Sequence, residues 1–299
     1  YARRGQAISI VQFMLVVSVA FIPVLYAILL PTYDSALFLR LVLVSMVGAA
    51  FFWLFSVRGE ERPGAAPEPS GTARSFRSTF AAIWADINTR RYALFLGVSA
   101  FFAFMQDAVL EPFGGDVFGL AVGETTRFNA YWGTGVLIGM IGTGLATRRR
   151  QPDQQVGTTA WDLLLLGLSL SLLGAVALAQ VLQLVASVLV AFGLGFGIFT
   201  VGGVSLLMAM SAEEQAGSYL ALWSVVQLVS RGAGIAMGGV VRDAVLALGG
   251  QFNTAYATVF ILEALGLFAA VLLLRAVDIA GFAVRRTAAP KEAAIPVMD

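Results

Sequence analysis

Asp107 and Glu111 stand four residues apart in an apolar run and so share one face of a helix. Two carboxylates on one face can hold a cation, relay a proton or accept hydrogen bonds, and Gln106 beside them adds an amide. Arg231, in Ser230-Arg231-Gly232-Ala233-Gly234, is the most interior cation of the chain. The sequence holds no histidine and no cysteine. That removes thiolate nucleophiles, disulfides, Cys/His zinc sites, Ser-His-Asp triads, covalent c-type haem and histidine axial ligands. No Walker element, nucleotide loop or hydrolytic constellation is present, so neither ATP coupling nor enzyme activity is expected of this chain.

The elements that must carry these residues are spanning helices. Of 299 residues, 59% are hydrophobic and 12% charged, against about 45–50% and about 25% in soluble domains. With a mean hydropathy of +0.84, this composition describes an all-α, polytopic membrane protein. Apolar runs bounded by charge, Pro or Gly place eight spans at about 8–30, 36–57, 92–112, 128–147, 159–179, 182–210, 217–246 and 254–275. The first run follows Arg3 and Arg4 but lacks a small-residue cleavage site, so it is not a signal peptide. One set of alternate segments carries Arg3, Arg4, Arg58, Arg62, Arg74, Arg77, Arg90, Arg91, Arg148, Arg149, Arg150, Arg285, Arg286 and Lys291. The other set carries Arg127 and Arg242 alone. Positive residues mark the cytoplasmic side, so both ends of this segment are expected there.

The connections are unequal. Residues 58–91 open with Arg-Gly-Glu-Glu-Arg-Pro and run through a Gly/Ala/Pro/Ser stretch, which reads as a flexible cytoplasmic linker. Within it Phe76, Phe80, Ile83, Trp84 and Ile87 fall on one helical face, as in an amphipathic helix lying on the membrane surface. The linker separates two helices (1–57) from six (92–275), with a cytoplasmic tail at 276–299. Many transporters join two six-helix halves in this way. The first two helices then read as the last two of a first half, and four further spans are expected before Tyr1. Weak similarity between the segments at residues 3–12 and 213–223, each entering the penultimate helix of a half, agrees with a duplicated unit.

The run Gln106-Asp107-Ala108-Val109-Leu110-Glu111-Pro112-Phe113-Gly114-Gly115 is followed by Val122-Gly123-Glu124-Thr125-Thr126-Arg127 and Tyr131-Trp132-Gly133. Together they resemble the PucC/LhaA family, the bacteriochlorophyll-delivery branch of the major facilitator superfamily. The resemblance covers the last six helices and extends toward the first two. It implies a major-facilitator-like bundle of twelve helices, of which this chain holds the last eight. It also implies an assembly factor, chaperone or bacteriochlorophyll carrier for bacterial light-harvesting complexes, in the inner or photosynthetic intracytoplasmic membrane. Its partners would be antenna polypeptides or a reaction centre–antenna complex. A general facilitator signature is partly matched by Gly142-Thr143-Gly144-Leu145-Ala146-Thr147-Arg148-Arg149-Arg150, with Thr147 where an acidic residue is usual. Two other readings stand beside this one: a proton-coupled small-molecule transporter with Asp107 as the protonating group, and a structural subunit beside the light-harvesting ring.

The site is expected at one end of the helix at 92–112. Asp107 lies roughly 7–8 Å from the midplane of such a helix. Glu111 falls at its negative dipole end, with Pro112 terminating it and Gly114-Gly115 forming the turn beyond. Arg127 and Arg242 are nearest by depth, so one of them is expected to close the cluster. The cluster either tethers the turn or contacts pigment or polypeptide. For Arg231 the alternatives are a partner for a carboxylate or pigment ester, and simple packing on the small-residue face of Gly234 and Gly238. Gly135/Gly139 and Gly193/Gly197 repeat that spacing and read as close-packing positions. Phe101, Phe102, Phe104 and Trp132 could line a tetrapyrrole face. Without histidine, a chlorin magnesium would need Asn, Gln, a carboxylate, a backbone carbonyl or water as axial ligand, with Gln106 and Asn129 as candidates.

Orientation can be checked directly. Single cysteines placed at Ala66 and Arg150 should resist an impermeant thiol reagent applied from outside, whereas one at Ala121 should react; the opposite pattern would invert the topology.

Overall fold

The computed structural model describes residues 34–57, 87–147, 156–210 and 216–275, together with Leu25, Ile28 and Trp84. Among them the regular elements are all helical: α1 (Ser35–Val57), α2 (Ile87–Ala103), a 3-10 turn (Met105–Ala108), α3 (Leu110–Phe118), α4 (Val122–Thr147), α5 (Val156–Ala179), α6 (Leu182–Met210), α7 (Ala216–Ala247) and α8 (Phe252–Arg275). Apart from Leu25 and Ile28, the expected span at 8–30 lies outside the described residues, as do most of the linker, the repeat-like segment at 3–12, residues 213–215 of its counterpart at 213–223, and the tail.

Among the described residues four stretches are long and apolar enough to cross a membrane: Ala160–Ala179, Leu182–Gly203, Trp223–Ala247 and Phe252–Arg275. The α2–α3 pair, bent by 43° at its break, makes a fifth if it counts as one span. The apolar part of α1, Ser35–Phe51, is shorter, and the first turns of α4 are diluted by Glu124, Arg127 and Asn129. For α1, α5, α6, α7 and α8 the bounds read from apolar runs differ from those observed by at most three residues. The helix expected at 92–112 differs. It breaks after Ala103 and resumes from Leu110 to Phe118, so Pro112 lies in the first turn of a new helix and does not terminate one. Gly114 and Gly115 are helical. The turn is made by Gly119 instead, whose left-handed φ of 69° suits a residue without Cβ, while Leu120 N–H donates to the Gly114 carbonyl. α4 likewise starts six residues earlier than 128, because Glu124 accepts a hydrogen bond from the Ala121 N–H and caps the helix.

Residues 87–275 form a bundle in which α4 packs along α6, α5 along α6 and α8, and α2 along α7 and α8. The α4–α6 contact runs over glycine. A methyl group on Gly193 would run into the carbonyl oxygen of Trp132, and one on Gly197 into that of Val136. Gly135 and Gly139 face Val190 and Leu194 in the same way. Backbones in contact gain dispersion where, in lipid, no hydrophobic drive holds helices together. At one end of the bundle Phe113 of α3 is fully buried against Phe118, Phe128, Tyr256 and Phe260, with ring centroids 5.2–6.4 Å apart. The Tyr256 hydroxyl donates to Asp116 and ties α8 to α3.

The glycine seam gives a graded stability prediction. Gly193→Ala and Gly197→Ala should each destabilise the solubilised protein, by about 1–3 kcal/mol as overpacking does. Gly142→Ala, with nothing within 4 Å of the added methyl, should leave the thermal midpoint equal or higher. Equal midpoints for all three would mean that the helices do not touch here.

Candidate functional site

The site begins with an interrupted helix. Proline has no N–H to donate to the carbonyl four residues back, and its ring crowds that carbonyl, so Pro112 cannot extend a continuous helix through Ala108. The chain tightens instead: Asp107 N–H donates to the Phe104 carbonyl at 3.2 Å and Val109 N–H to the Gln106 carbonyl at 3.0 Å. Helical bonding resumes with Phe113 N–H on the Val109 carbonyl, 2.9 Å. Glu111 therefore sits in the first turn of α3, at the positive end of a helix dipole, the reverse of its expected position.

Gly234 and Gly238 bring α7 against this break, where an added methyl would meet the carbonyl oxygens of Phe101 and Met105. Arg231, on the same face three residues before Gly234, reaches Asp107 with Nη2–Oδ2 3.1 Å. Its guanidinium carbon also lies 4.2 Å from the centroid of the Phe104 ring. Gln106 Nε2 donates to the other oxygen of Asp107 at 3.1 Å. The cluster is thus closed by Arg231, and the expectation of Arg127 or Arg242 is overturned. Arg127 is exposed, and Arg242 pairs with its neighbour Asp243 at 2.7 Å. Depth alone misled here, because the α7 seam sets which cation meets the break. Glu111 accepts a hydrogen bond from Asn129 Nδ2 of α4, so the two carboxylates have different partners.

Beside the break lies a cavity of about 570 Å³ between α2, α4, α6 and α7. Its aromatic walls include Phe104, Trp132, Phe196 and Trp223. Phe104 and Trp132 both meet Phe196 edge-on, at 5.1 and 5.4 Å. Gln106, Asp107, Asn129 and Arg231 supply its polar part. Phe104 and Trp132 accordingly stand where an aromatic ligand wall was expected, whereas Phe102 packs over Gly266 of α8 and Phe101 pairs edge-on with Phe102 at 5.0 Å. Three buried polar atoms of the cavity residues have no partner among the described residues: Gln106 Oε1, Trp132 Nε1 and Trp223 Nε1. Gly114 lies outside the cavity, where its missing side chain admits Thr125 and Phe128 of α4.

Two features escaped the sequence reading. Trp223 carries an unpartnered donor on the cavity wall, yet one aromatic in an aromatic-rich chain gives no signal. Glu263 gave a signal that was passed over: it is the only acidic residue of α8, it is fully buried, and neither oxygen has a hydrogen-bond partner among the described residues. Its carboxyl lies near the backbone of Gln106 and within electrostatic range of Asp107.

Apolar helices of membrane-spanning character, an interrupted helix lined by charge and an aromatic-walled cavity define a polytopic helical membrane protein with an internal cavity. The chain matches the family described as PUCC protein over residues 1–282, and it belongs to that family. It is 30% identical over 246 residues to the bacteriochlorophyll synthase 44.5 kDa chain of Rhodobacter capsulatus, covering 81% of this chain and 57% of that one. It is 32% identical over 194 residues to protein PucC of Rhodovulum sulfidophilum, covering 63% and 40%. With protein PucC of Cereibacter sphaeroides it shares 28% identity across an alignment of 310 positions, covering 95% and 62%. The chain spans about half the length of the curated relatives it matches. No solved structure matches it.

The Asp107–Arg231 pair can be weighed by a double-mutant cycle of Asp107→Asn and Arg231→Gln. Side-chain exposures of 27% and 50% place it between a buried pair, whose breaking costs about 3–5 kcal/mol, and a surface pair worth about 0–1 kcal/mol. Each single change should therefore lower unfolding stability by about 1–3 kcal/mol, and the double change by less than the sum. Strict additivity would show that the two side chains do not interact.

Proposed function

We propose that this protein is a membrane-embedded assembly factor that carries bacteriochlorophyll to bacterial light-harvesting complexes, through the cavity bounded by Phe104, Trp132, Phe196 and Trp223. The observation that carries this reading is the chemistry of that cavity. Its volume of about 570 Å³ falls in the range of small-molecule sites, about 300–1,000 Å³. Aromatic walls suit a flat apolar ring system, and the unpartnered indole N–H groups of Trp132 and Trp223 suit carbonyl oxygens at its edge. The unpartnered Gln106 Oε1 is an oxygen donor of the hard type that magnesium accepts, so the residues present fit a magnesium chlorin as cargo. When bound, such a pigment supplies light absorption and no reaction for this chain to catalyse. The protein's own part is to hold the ring plane, satisfy its polar edge and exclude water. The name of one relative, the bacteriochlorophyll synthase 44.5 kDa chain of Rhodobacter capsulatus, points to the same pigment.

In the same reading the protein is a major-facilitator-like bundle. Residues 1–57 end a first six-helix half, 58–91 connect the halves on the cytoplasmic side, and 92–275 form the second half with a cytoplasmic tail. Eight spans of a twelve-helix protein are then represented, embedded in the inner or intracytoplasmic membrane of a photosynthetic bacterium. Antenna polypeptides, or a reaction centre–antenna complex, receive the pigment.

The test is an absorption spectrum of the gently solubilised protein from a phototrophic host, with identification of the polypeptides that copurify. Bacteriochlorophyll absorption and antenna polypeptides should accompany it, and Trp132→Phe combined with Gln106→Leu should lower retained pigment several-fold at unchanged protein yield. A colourless preparation bound stoichiometrically to the antenna would point to a structural subunit, and saturable pH-dependent uptake in vesicles to a transporter; either would displace the carrier.

A further inference from the structure

Glu263 is not used by the reading above, and its position demands an explanation. It stands near the middle of Phe252–Arg275, roughly 17–18 Å from either end by helical rise. It is fully buried, and both carboxyl oxygens lack a hydrogen-bond partner among the described residues. A carboxylate at that depth carries a large cost of desolvation, which the nearby Gln106 backbone offsets only in part.

The nearby charged groups begin with the 3-10 turn, where the Gln106 backbone lies close to Glu263 and Asp107 lies within electrostatic range of it. Arg231 of α7 pairs with Asp107 at 3.1 Å. On α2 the Phe102 ring covers Gly266, one turn from Glu263, and the titratable Tyr92 lies toward the Ile87 end. On α5 the stretch that meets α8, with Gly167 against Phe268 and Gly174 against Ile261, has no ionisable side chain. On α3, Glu111 is bonded to Asn129 and Asp116 to Tyr256 of α8. α8 itself adds only Tyr256 and, at its end, Arg275. Of the other cations on these elements, Arg90 and Arg91 lie near the start of α2 and Arg242 pairs with Asp243 beside Tyr256, so Arg231 is left to balance one carboxylate and the other must carry a proton for the cluster to be neutral.

We propose that Asp107, Glu263 and Arg231 form a neutral proton-binding site, with one proton on Glu263 while Arg231 engages Asp107, and a second taken up by Asp107 when a ligand draws Arg231 away. Three observations support it. Asp107 lines the cavity while also lying within range of Glu263, so it connects the buried acid with the cavity. Arg231 is half exposed and also lines the cavity, where an acidic or carbonyl group of a ligand can replace Asp107 on its guanidinium. The helix break keeps Asp107 in a short turn instead of a rigid helix. In the uptake step a carboxylate oxygen of Asp107 forms an O–H bond with a proton from water in the cavity, and no electrons are transferred. Binding of an anionic group at Arg231 is thereby linked to uptake of one proton. This requires a ligand in the cavity but not that the ligand be a pigment.

Infrared difference spectroscopy of the full chain in lipid vesicles at neutral pH counts protonated carboxyls by their C=O stretch. Glu263→Gln, which reproduces the shape of the protonated acid, should lose one such band relative to the unaltered protein. Arg231→Gln should gain one, and adding Asp107→Asn to it should remove that gain; Arg231→Lys, which keeps the charge, should gain none. Asp162, a second buried carboxyl among the described residues, contributes equally to every variant and cancels. An unchanged spectrum in Glu263→Gln, or no gain in Arg231→Gln, would overturn the proposal, whatever the outcome of the pigment experiment.

Discussion

Hydrocarbon offers no hydrogen bonds, so a helix interrupted within a membrane must find partners inside the protein for every backbone group it frees. The break at 104–109 meets that constraint in three ways. α7 lies against it through Gly234 and Gly238, so the carbonyls of Phe101 and Met105 face protein instead of lipid. Its own 3-10 bonds reuse the carbonyls of Phe104 and Gln106. α8 covers the remaining side, with Gly266 beneath Phe102 and Glu263 beside Gln106. The polar side chains of the site, and the cavity they border, exist because this interruption is buried on all those sides.

The bundle was legible in the sequence because hydrophobic runs of membrane length leave little freedom: α1, α5, α6, α7 and α8 stand where apolar residues are continuous. The glycine pairs were legible too, since small residues four apart mark a face on which backbones can meet. The broken span was not. Proline disfavours helix in the residue before it, so the sequence suggests a helix end at Pro112; yet proline is equally at home in a first turn, and only the carbonyl it cannot serve, that of Ala108, tells the two apart. The same error reversed the dipole seen by Glu111 and made a turn of Gly114-Gly115.

Partner choice was illegible for a different reason. Ranking cations by depth compares positions along the membrane normal and ignores which faces meet. Arg127 and Arg242 share the level of Glu111, but Arg127 stays exposed and Arg242 is occupied by Asp243. Glu263, by contrast, was fully legible: an acidic residue alone in an apolar span of 24 residues is a functional signal by default. It lies close to the Gln106 backbone of the run at 106–115, a proximity that no spacing in the sequence reveals.

Packing and ion pairing, weighed as alternatives for Arg231, turn out to be one device. Residues 231, 234 and 238 recur at helical spacing, so a face flat enough for α7 to touch the backbone at Phe101 and Met105 also aims the guanidinium one turn away at Asp107. A larger residue at Gly234 would hold the helices apart and lengthen the ion pair without altering either charged residue. The same coupling holds on the facing wall. The Trp132 carbonyl rests on Gly193, which fixes the height at which the Trp132 ring meets Phe196. Two glycine seams thus set the distance between the charged wall of the cavity and its aromatic wall. A chain with 32 glycines among 299 residues needs only a few of them for this, placed where a backbone must act as the contact surface.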